Sequence, residues 1–587
     1  MKTALFTIII LLNIIRPVSA QRNEEILKPE RVYLHTDRDL YIAGEYLFYT
    51  LYLQGNPGKM SKYAYLIIRD KNNSYASNIR LEINDQMAFG SIYLPDTLSS
   101  GIYQIVCYTN CMRNEVEEAY FKKEIAITNR FDEKIDLFPD TVPGISSISS
   151  SQYSGIINVN ENLTIHLDKQ VFSQREKISL SIESNNIPND SIVHFSVSIS
   201  EILAGITTGP SISEYFGNNH ITSNTGESNQ DHCRFFPEID GPILQGEVSS
   251  MSQSVEGKDT IKIKATNSVK NYTLLVSAID SIVNMQVTTT DSSGSFVFFL
   301  NPYYDGKELI VRLKENVNST IIPDDKFRLI HPFSPSDMYN VPGMKDYMKR
   351  IGKIARVRKF YSKPAAIITE KKFLPSMTIP RIYYKQYYTI YPSDFLELPD
   401  FIEISKEIVP ALKVRKTGDK FVSGFLNLQY QTKINDEPAI FLDGVPIDDV
   451  NQIINLGTSK IKRIESIPVN RHYGEMSFSG ILAIFSKDLE INNIQFKTPT
   501  IKYQSLSSQP HTKPESFKQI DNSKHIPDLR QLLLWEPEIT LKKNEKHQIE
   551  CYASDLQGQY QINIQGITSK GNPVSGTATF VVQFKSN

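Results

Sequence analysis

The sequence predicts a mainly β chain, a tandem of Ig-like β-sandwich modules with one smaller α/β module inserted near the C-terminal end. Three observations lead there. Apolar residues alternate with a period of two at Leu47, Tyr49, Leu51 and Leu53, and again at Tyr103, Ile105 and Cys107, which is the repeat of a strand with one buried face. Turn signals break these runs at short intervals, at Asn56-Pro57-Gly58, Lys71-Asn72-Asn73-Ser74 and Ser99-Ser100-Gly101, the rhythm of a sandwich. Tyr (30) and Phe (29) are abundant against a single Trp, a bias that suits strands.

In chain order, residues 1–20 read as a secretory leader. Lys2 is the positive start, Ala4 to Ile15 the apolar run, and Val18-Ser19-Ala20 the small-residue cleavage site before Gln21. That run is shorter than a bilayer span, and Gln rather than Cys follows the cut, which argues against a lipid anchor. Residues 21–130 form the first β-sandwich. A Ser-rich linker, Ile145 to Gly155, leads to a second at 156–235, with alternation at Leu163, Ile165, Leu167 and at Phe195, Val197, Ile199. Thr207 to Gln230 reads as a long polar loop. A β domain follows at 236–325. Residues 335–375 hold a basic helix and linker, because Met344, Tyr347, Met348 and Ile351 fall at helical spacing among Lys345, Lys349, Arg350, Lys353, Arg356, Arg358 and Lys359; a solvated face is the favoured reading of that charge, over contact with phosphate or an acidic partner. Residues 390–490 mix helix and strand signals, 491–530 read as a linker, and 531–587 as a C-terminal β segment. That segment is too short to form a sandwich alone, so it should complete a sheet begun before the α/β insert.

Two stretches carry a family resemblance. Pro29 to Leu53 (PERVYLHTDRDLYIAGEYLFYTLYL), with Ile92 to Thr109 (IYLPDTLSSGIYQIVCYT), resembles the second macroglobulin-type domain of the α2-macroglobulin superfamily, and Leu163 to Glu183 repeats the layout more weakly. Glu437 to Asp488 resembles the plug domain of TonB-dependent outer-membrane receptors, through Asp443-Gly444-Val445-Pro446, Ile461-Lys462-Arg463-Ile464-Glu465, Tyr473-Gly474 and Gly480-Ile481. Only about 100 residues follow the plug-like stretch, too few for a transporter barrel. The combination resembles a group of Bacteroidota envelope proteins, and 236–325 fits the carboxypeptidase-regulatory-like β domain found in such company.

Chemistry finds little foothold. No Cys-Gly-Glu-Gln thioester, Gly-x-Ser-x-Gly elbow, His-Glu-x-x-His or phosphate-binding Gly-Lys-Ser/Thr loop occurs. His35 and Asp37 suggest a base with its orienting carboxylate, but no nucleophile motif accompanies them, and a turn-stabilising Asp outweighs a catalytic one. His232-Cys233 is half a metal site without a second half. Pro237 to Gly241 and Asp448-Asp449 offer carboxylates to calcium, against which ordinary turn chemistry is favoured. Cys107 and Cys111 flank a hairpin end, where a bridge and two small thiols both fit. A net charge of −2 gives no nucleic-acid footprint. The reading is a non-enzymatic, exported envelope binding or scaffold protein, periplasmic or outer-membrane associated, with a protein partner, peripheral membrane contact, and no cofactor or metal. The alternatives are an accessory that docks on an outer-membrane barrel through Asp443, Gly444, Val445, Pro446, Tyr473 and Gly474, and a non-covalent protease inhibitor of macroglobulin type.

Overall fold

A computed structural model describes residues 29–132, 163–184, 191–203, 209–218, 234–255, 261–266, 271–339, 341, 343–361, 367–369, 381–383, 385–427, 432–433, 436–474, 476–514 and 526–584. The leader, the Ser-rich linker and the His232-Cys233 pair lie outside these residues. The fold is mainly β.

The first sandwich is built from β1 (Arg31–Thr36), β2 (Leu40–Ile42), β3 (Tyr46–Gln54), β4 (Tyr63–Arg69), β5 (Tyr75–Glu82), β6 (Met87–Tyr93), β7 (Gly101–Thr109) and β8 (Phe121–Thr128). One sheet runs β1-β3-β6 and the other β2-β8-β7-β4-β5. Leu34, Leu47, Leu51, Leu66, Ile105 and Ile125 fill the space between them. The alternation at Leu47, Tyr49, Leu51 and Leu53 marks the face of β3 that meets this core. The opposite face is buried as well, because Phe48, Thr50 and Tyr52 meet the second sandwich.

That second sandwich begins with β9 (Thr164–Leu167), β10 (Val171–Ser173), β11 (Lys177–Glu183) and β12 (Ile192–Ile202). Its remaining strands come from the far end of the chain: Leu532–Lys542, Lys546–Tyr552, Gly558–Thr568 and Pro573–Gln583. β12 is flanked by two of these late strands, Val197 lying opposite both Glu536 and Ile564. β11 pairs with Lys546–Tyr552, and β10 runs parallel to Pro573–Gln583. The interval 156–235 is therefore not a self-contained sandwich. Its strands supply Phe195, Val197 and Ile199 to a core that needs Tyr560, Ile562 and Ile564 from the C-terminal segment.

Two more corrections follow, and one open alternative is decided. Within the expected polar loop, Ile212–Asn218 forms a helix, α1, started by a capping box in which Glu214 N donates to Ser211 Oγ (3.2 Å) and Ser211 N to the Glu214 carboxylate (2.8 Å). The expected linker at 491–530 contributes strands at Thr500–Gln504 and Ser508–Gln509, which pair with the 236–325 domain and the first sandwich, and at Thr512–Pro514, which pairs with Ile367–Thr369 in the stretch expected to be linker after the basic helix. No bridge joins Cys107 to Cys111: Cys107 is a buried free thiol, its pKa pushed up by burial.

The 236–325 domain packs two sheets around Leu244, Val276, Phe296, Phe298 and Val311. The helix read from the basic stretch is α2 (Met344–Tyr361), seated on Leu40, Ile42 and Ala126 of the first sandwich. Residues 388–486 form a mixed sheet, with Ala439–Leu442 parallel and Ile461–Ile467 antiparallel to Ile481–Ser486. A short helix, α3 (Phe401–Glu407), begins at Asp400, whose side chain accepts from Glu403 N. This is the α/β insert.

Candidate functional site

Asp443 and Gly444 take left-handed backbone, at φ 49° and 88°, and make a tight strand turn. The Asp443 carboxylate is 2 % exposed and accepts from Ser486 N (2.7 Å), Ser486 Oγ (2.7 Å) and Ile491 N (3.2 Å). A Cβ on Gly444 would stand 2.8 Å from the Ile282 carbonyl oxygen and 3.0 Å from those of Ala278 and Asp280. Asp280 N donates to the Asp443 carbonyl (2.9 Å), and Val445 is fully buried. The Pro446 carbonyl accepts from Arg312 (2.9 Å), which also pairs with Asp448. Tyr473 donates to the Met285 carbonyl (2.7 Å), while Gly474 stands exposed at the tip of a hairpin. The surface expected to face a partner barrel thus meets residues 278–285 and Arg312 of the same chain, and Gly474 alone of the set is open to solvent.

His35 and Asp37 are separated by function as well as direction. His35 Nδ1 lies 2.6 Å from Ser196 Oγ. The Tyr52 hydroxyl lies 2.8 Å from Ser196 Oγ and 2.7 Å from the Gln565 carbonyl oxygen. A carbonyl only accepts, so the consistent chain runs His35 Nδ1–H to Ser196, Ser196 to Tyr52, and Tyr52 to Gln565. Burial holds His35 neutral, its pKa well below the ordinary value, with Lys123 adding to the effect. Its Nε2 has no hydrogen-bond partner and its ring packs on Trp535 at 5.1 Å. This buried chain of hydrogen bonds joins the first sandwich to the second. Asp37 faces away, accepting from the Tyr41 hydroxyl (2.7 Å) and Phe48 N (3.0 Å).

The calcium candidates are also occupied by protein groups. Glu238 is fully buried; its carboxylate accepts from Tyr65 (2.9 Å) and Ile243 N (2.8 Å), with Lys326 Nζ at 3.6 Å. It fastens the 236–325 domain to the first sandwich. Asp448 belongs to Arg312, and Asp449 caps a turn through Asn451 N (2.9 Å) and pairs with Lys497. Among the described residues no group of three His, Cys, Asp or Glu side chains could hold a metal ion.

A cleft of about 790 Å³ opens where the two sandwiches part. β1 and β8 give it Tyr33 and Lys122 to Glu124, α1 gives Ser213 to Tyr215, and the late strands give Gln561, Asn563, Ser575 and Thr577. Two contacts hold α1 in place as a wall: Ile212 N donates to Gln565 Oε1 (2.8 Å), and Tyr215 packs on Tyr33 and Phe121 at 5.7 and 5.5 Å. The charges are largely consumed within the wall. Lys123 holds Thr36 Oγ1 (2.7 Å) and Asp39 (2.6 Å), and Glu124 accepts from Ser336. The rest of the lining is largely amides and hydroxyls, some of them paired across the wall, with Gln565 Nε2 donating to Asn563 Oδ1 (2.6 Å) and Ser575 Oγ to Ser213 Oγ (3.0 Å); such a surface suits a ligand that both donates and accepts hydrogen bonds. This cleft is not legible in the sequence, because its walls are far apart in the chain; the one local signal was Ser211-x-x-Glu214.

No protein-family model matches the chain, and no curated protein matches it. Among solved structures, the matches include Salmonella α2-macroglobulin reacted with methylamine, at 9% identity and a TM-score of 0.23, covering 95% of this chain and 40% of that one. Trypsin-activated α2-macroglobulin from Escherichia coli matches at 9% identity and a TM-score of 0.22, covering 95% and 42%. The chain spans less than half the length of these neighbours, and TM-scores this low support no statement about shared arrangement or activity. Neither structure is a TonB-dependent receptor, so the plug-like resemblance and the Bacteroidota grouping stand on the sequence alone.

Proposed function

We propose that the protein is a non-enzymatic binding or scaffold protein of the cell envelope, exported through its leader, with the cleft between the two sandwiches as the face that meets a protein partner. The cleft carries the reading. Its walls are drawn from distant chain segments, with α1 fixed by the buried Ile212–Gln565 hydrogen bond, and it presents amides and hydroxyls without an activated nucleophile. An extended peptide segment fits that chemistry, because its backbone offers the donors and acceptors that such walls satisfy.

The barrel-docking alternative asks for an exposed Asp443–Pro446 turn, and the burial of that turn against residues 278–285 weighs against it. A photo-cross-linking side chain placed at Thr577 in the cleft, and separately at Gly474, distinguishes the two in cells. We expect a protein adduct from Thr577, with the protein recovered from the envelope fraction. Adducts confined to Gly474 and an outer-membrane barrel would replace this reading with the accessory one. Inhibition of a protease without covalent capture would favour the macroglobulin-type inhibitor.

A further inference from the structure

Helix α2 has two faces with different fates. The inward one buries Met344, Tyr347, Met348 and Ile351, and two of the helix's arginines turn in with it: Arg350 pairs with Glu201, and Arg358 with Glu45 at 2.5 Å. Outward, Lys349, Lys353, Arg356 and Phe360 are all exposed. Their spacing of four, three and four residues places them in one stripe along the helix. Lys349 and Lys353 pair with no carboxylate among the described residues.

The stripe ends in aromatic surface. Phe360 is 86 % exposed and Phe131 65 %. The Arg356 guanidinium donates to the Arg130 carbonyl (2.7 Å), which brings the helix to the residue before Phe131, and the Arg130 guanidinium lies 4.6 Å from the Phe131 ring centre. One acid, Asp346, shares the outward face, and it lies at the opposite end of the helix, about 20 Å from Phe360 at 1.5 Å per residue.

We propose that this stripe, together with Phe131, is a docking surface for an anionic lipid bilayer. Cations along a helix with aromatic rings standing out at one end match a headgroup layer, where phosphates meet the ammonium and guanidinium groups and the rings enter the acyl boundary. A purely acidic protein surface would meet the cations and give the two rings no apolar layer to enter. The surface is separate from the cleft, so the assignment does not depend on the function proposed above.

Vesicle co-sedimentation of the processed chain, beginning at Gln21, tests it. Binding is expected to vesicles of phosphatidylglycerol in phosphatidylcholine, to be weak with phosphatidylcholine alone, and to fall as salt rises. K349Q/K353Q should weaken binding on the order of 25-fold, at roughly fivefold per basic residue near an anionic surface. F131S/F360S should abolish the part of the binding that survives high salt. All four side chains are exposed, so the variants should keep the parent's thermal unfolding midpoint. Equal binding to both vesicle types would overturn the assignment, as would unchanged binding by both variants. Capture of an acidic protein through Lys349 and Lys353, with no vesicle binding, would transfer the surface to a protein partner and overturn the lipid assignment.

Discussion

Asp37 shows how one buried carboxyl couples this fold to pH. It accepts from Tyr41 and Phe48 N and lies 3.7 Å from Arg38, yet burial outweighs those contacts and raises its pKa to about 6. An acid whose folded pKa stands above its unfolded value binds its proton more tightly when folded. Ionising Asp37 therefore costs stability, a cost fully present above about pH 6 and absent below about pH 4; its size is about 3 kcal/mol. In Asp37→Asn that dependence disappears, while the amide oxygen can still accept from Tyr41. Urea unfolding at a series of pH values should show the variant gaining on the parent by up to about 3 kcal/mol between pH 4 and 7. A constant difference across that range would refute the assignment. At this scale the sequence was readable for Asp37, whose place before Tyr41 marks a turn. For His35 it pointed to Asp37 and could not show the true partner, because the serine that holds the ring lies 161 residues away.

Helix α2 was legible as an element: apolar residues at helical spacing located it, and those residues form its buried face. The direction of its arginines was not, since Glu201 and Glu45 lie 149 and 313 residues away. Arg350→Ala would leave Glu201, whose side chain is 1 % exposed, buried without its cation. Because Arg350 itself is 40 % exposed, solvent screening reduces the loss to about 1–2 kcal/mol. Hydrogen exchange of the α2 amides should then speed up by about tenfold, with Lys353→Ala as an unaffected control. Unchanged protection in Arg350→Ala would mean that apolar packing alone seats the helix. Strands show a complementary limit. Alternation along β3 marked one buried face, yet the other face is buried too, and only its mixture of Phe48, Thr50 and Tyr52 hints at contact with another module. The strands at 500–514 left no pattern to read, because they add to existing sheets through backbone hydrogen bonds while most of their side chains stay partly or fully exposed.

Across the whole molecule, the C-terminal segment announced by its shortness that it needed a host, but nothing in the sequence identified β12 as that host. Four late strands and the early β9 to β12 share one core. Ending the chain at residue 525 removes all four late strands and should unfold the second sandwich although its first half is intact. In limited proteolysis we expect residues 29–132 to persist and 164–202 to be digested. A protected 164–202 fragment would show that the early strands hold together alone. The first sandwich draws nearly all of its core from its own strands and pairs them locally, with Ile212, Phe327 and Ile567 added from outside, which is why its architecture was the most readable part of the chain.

That shared core also sets a schedule. Ribosomes deliver roughly 5–20 residues per second, so β12 emerges on the order of 20 to 60 seconds before either of its neighbours. Throughout that interval its backbone donors and acceptors are open on both sides, the condition in which strands pair with the wrong chain. The outward face of β3 offers Tyr52 to Ser196 well before the late strands exist, so the first sandwich can hold β12 as it waits. A chain that stalls in translocation, or is clipped before Leu532, keeps that open strand permanently. The second sandwich thus closes only after the chain has been delivered through Gln583.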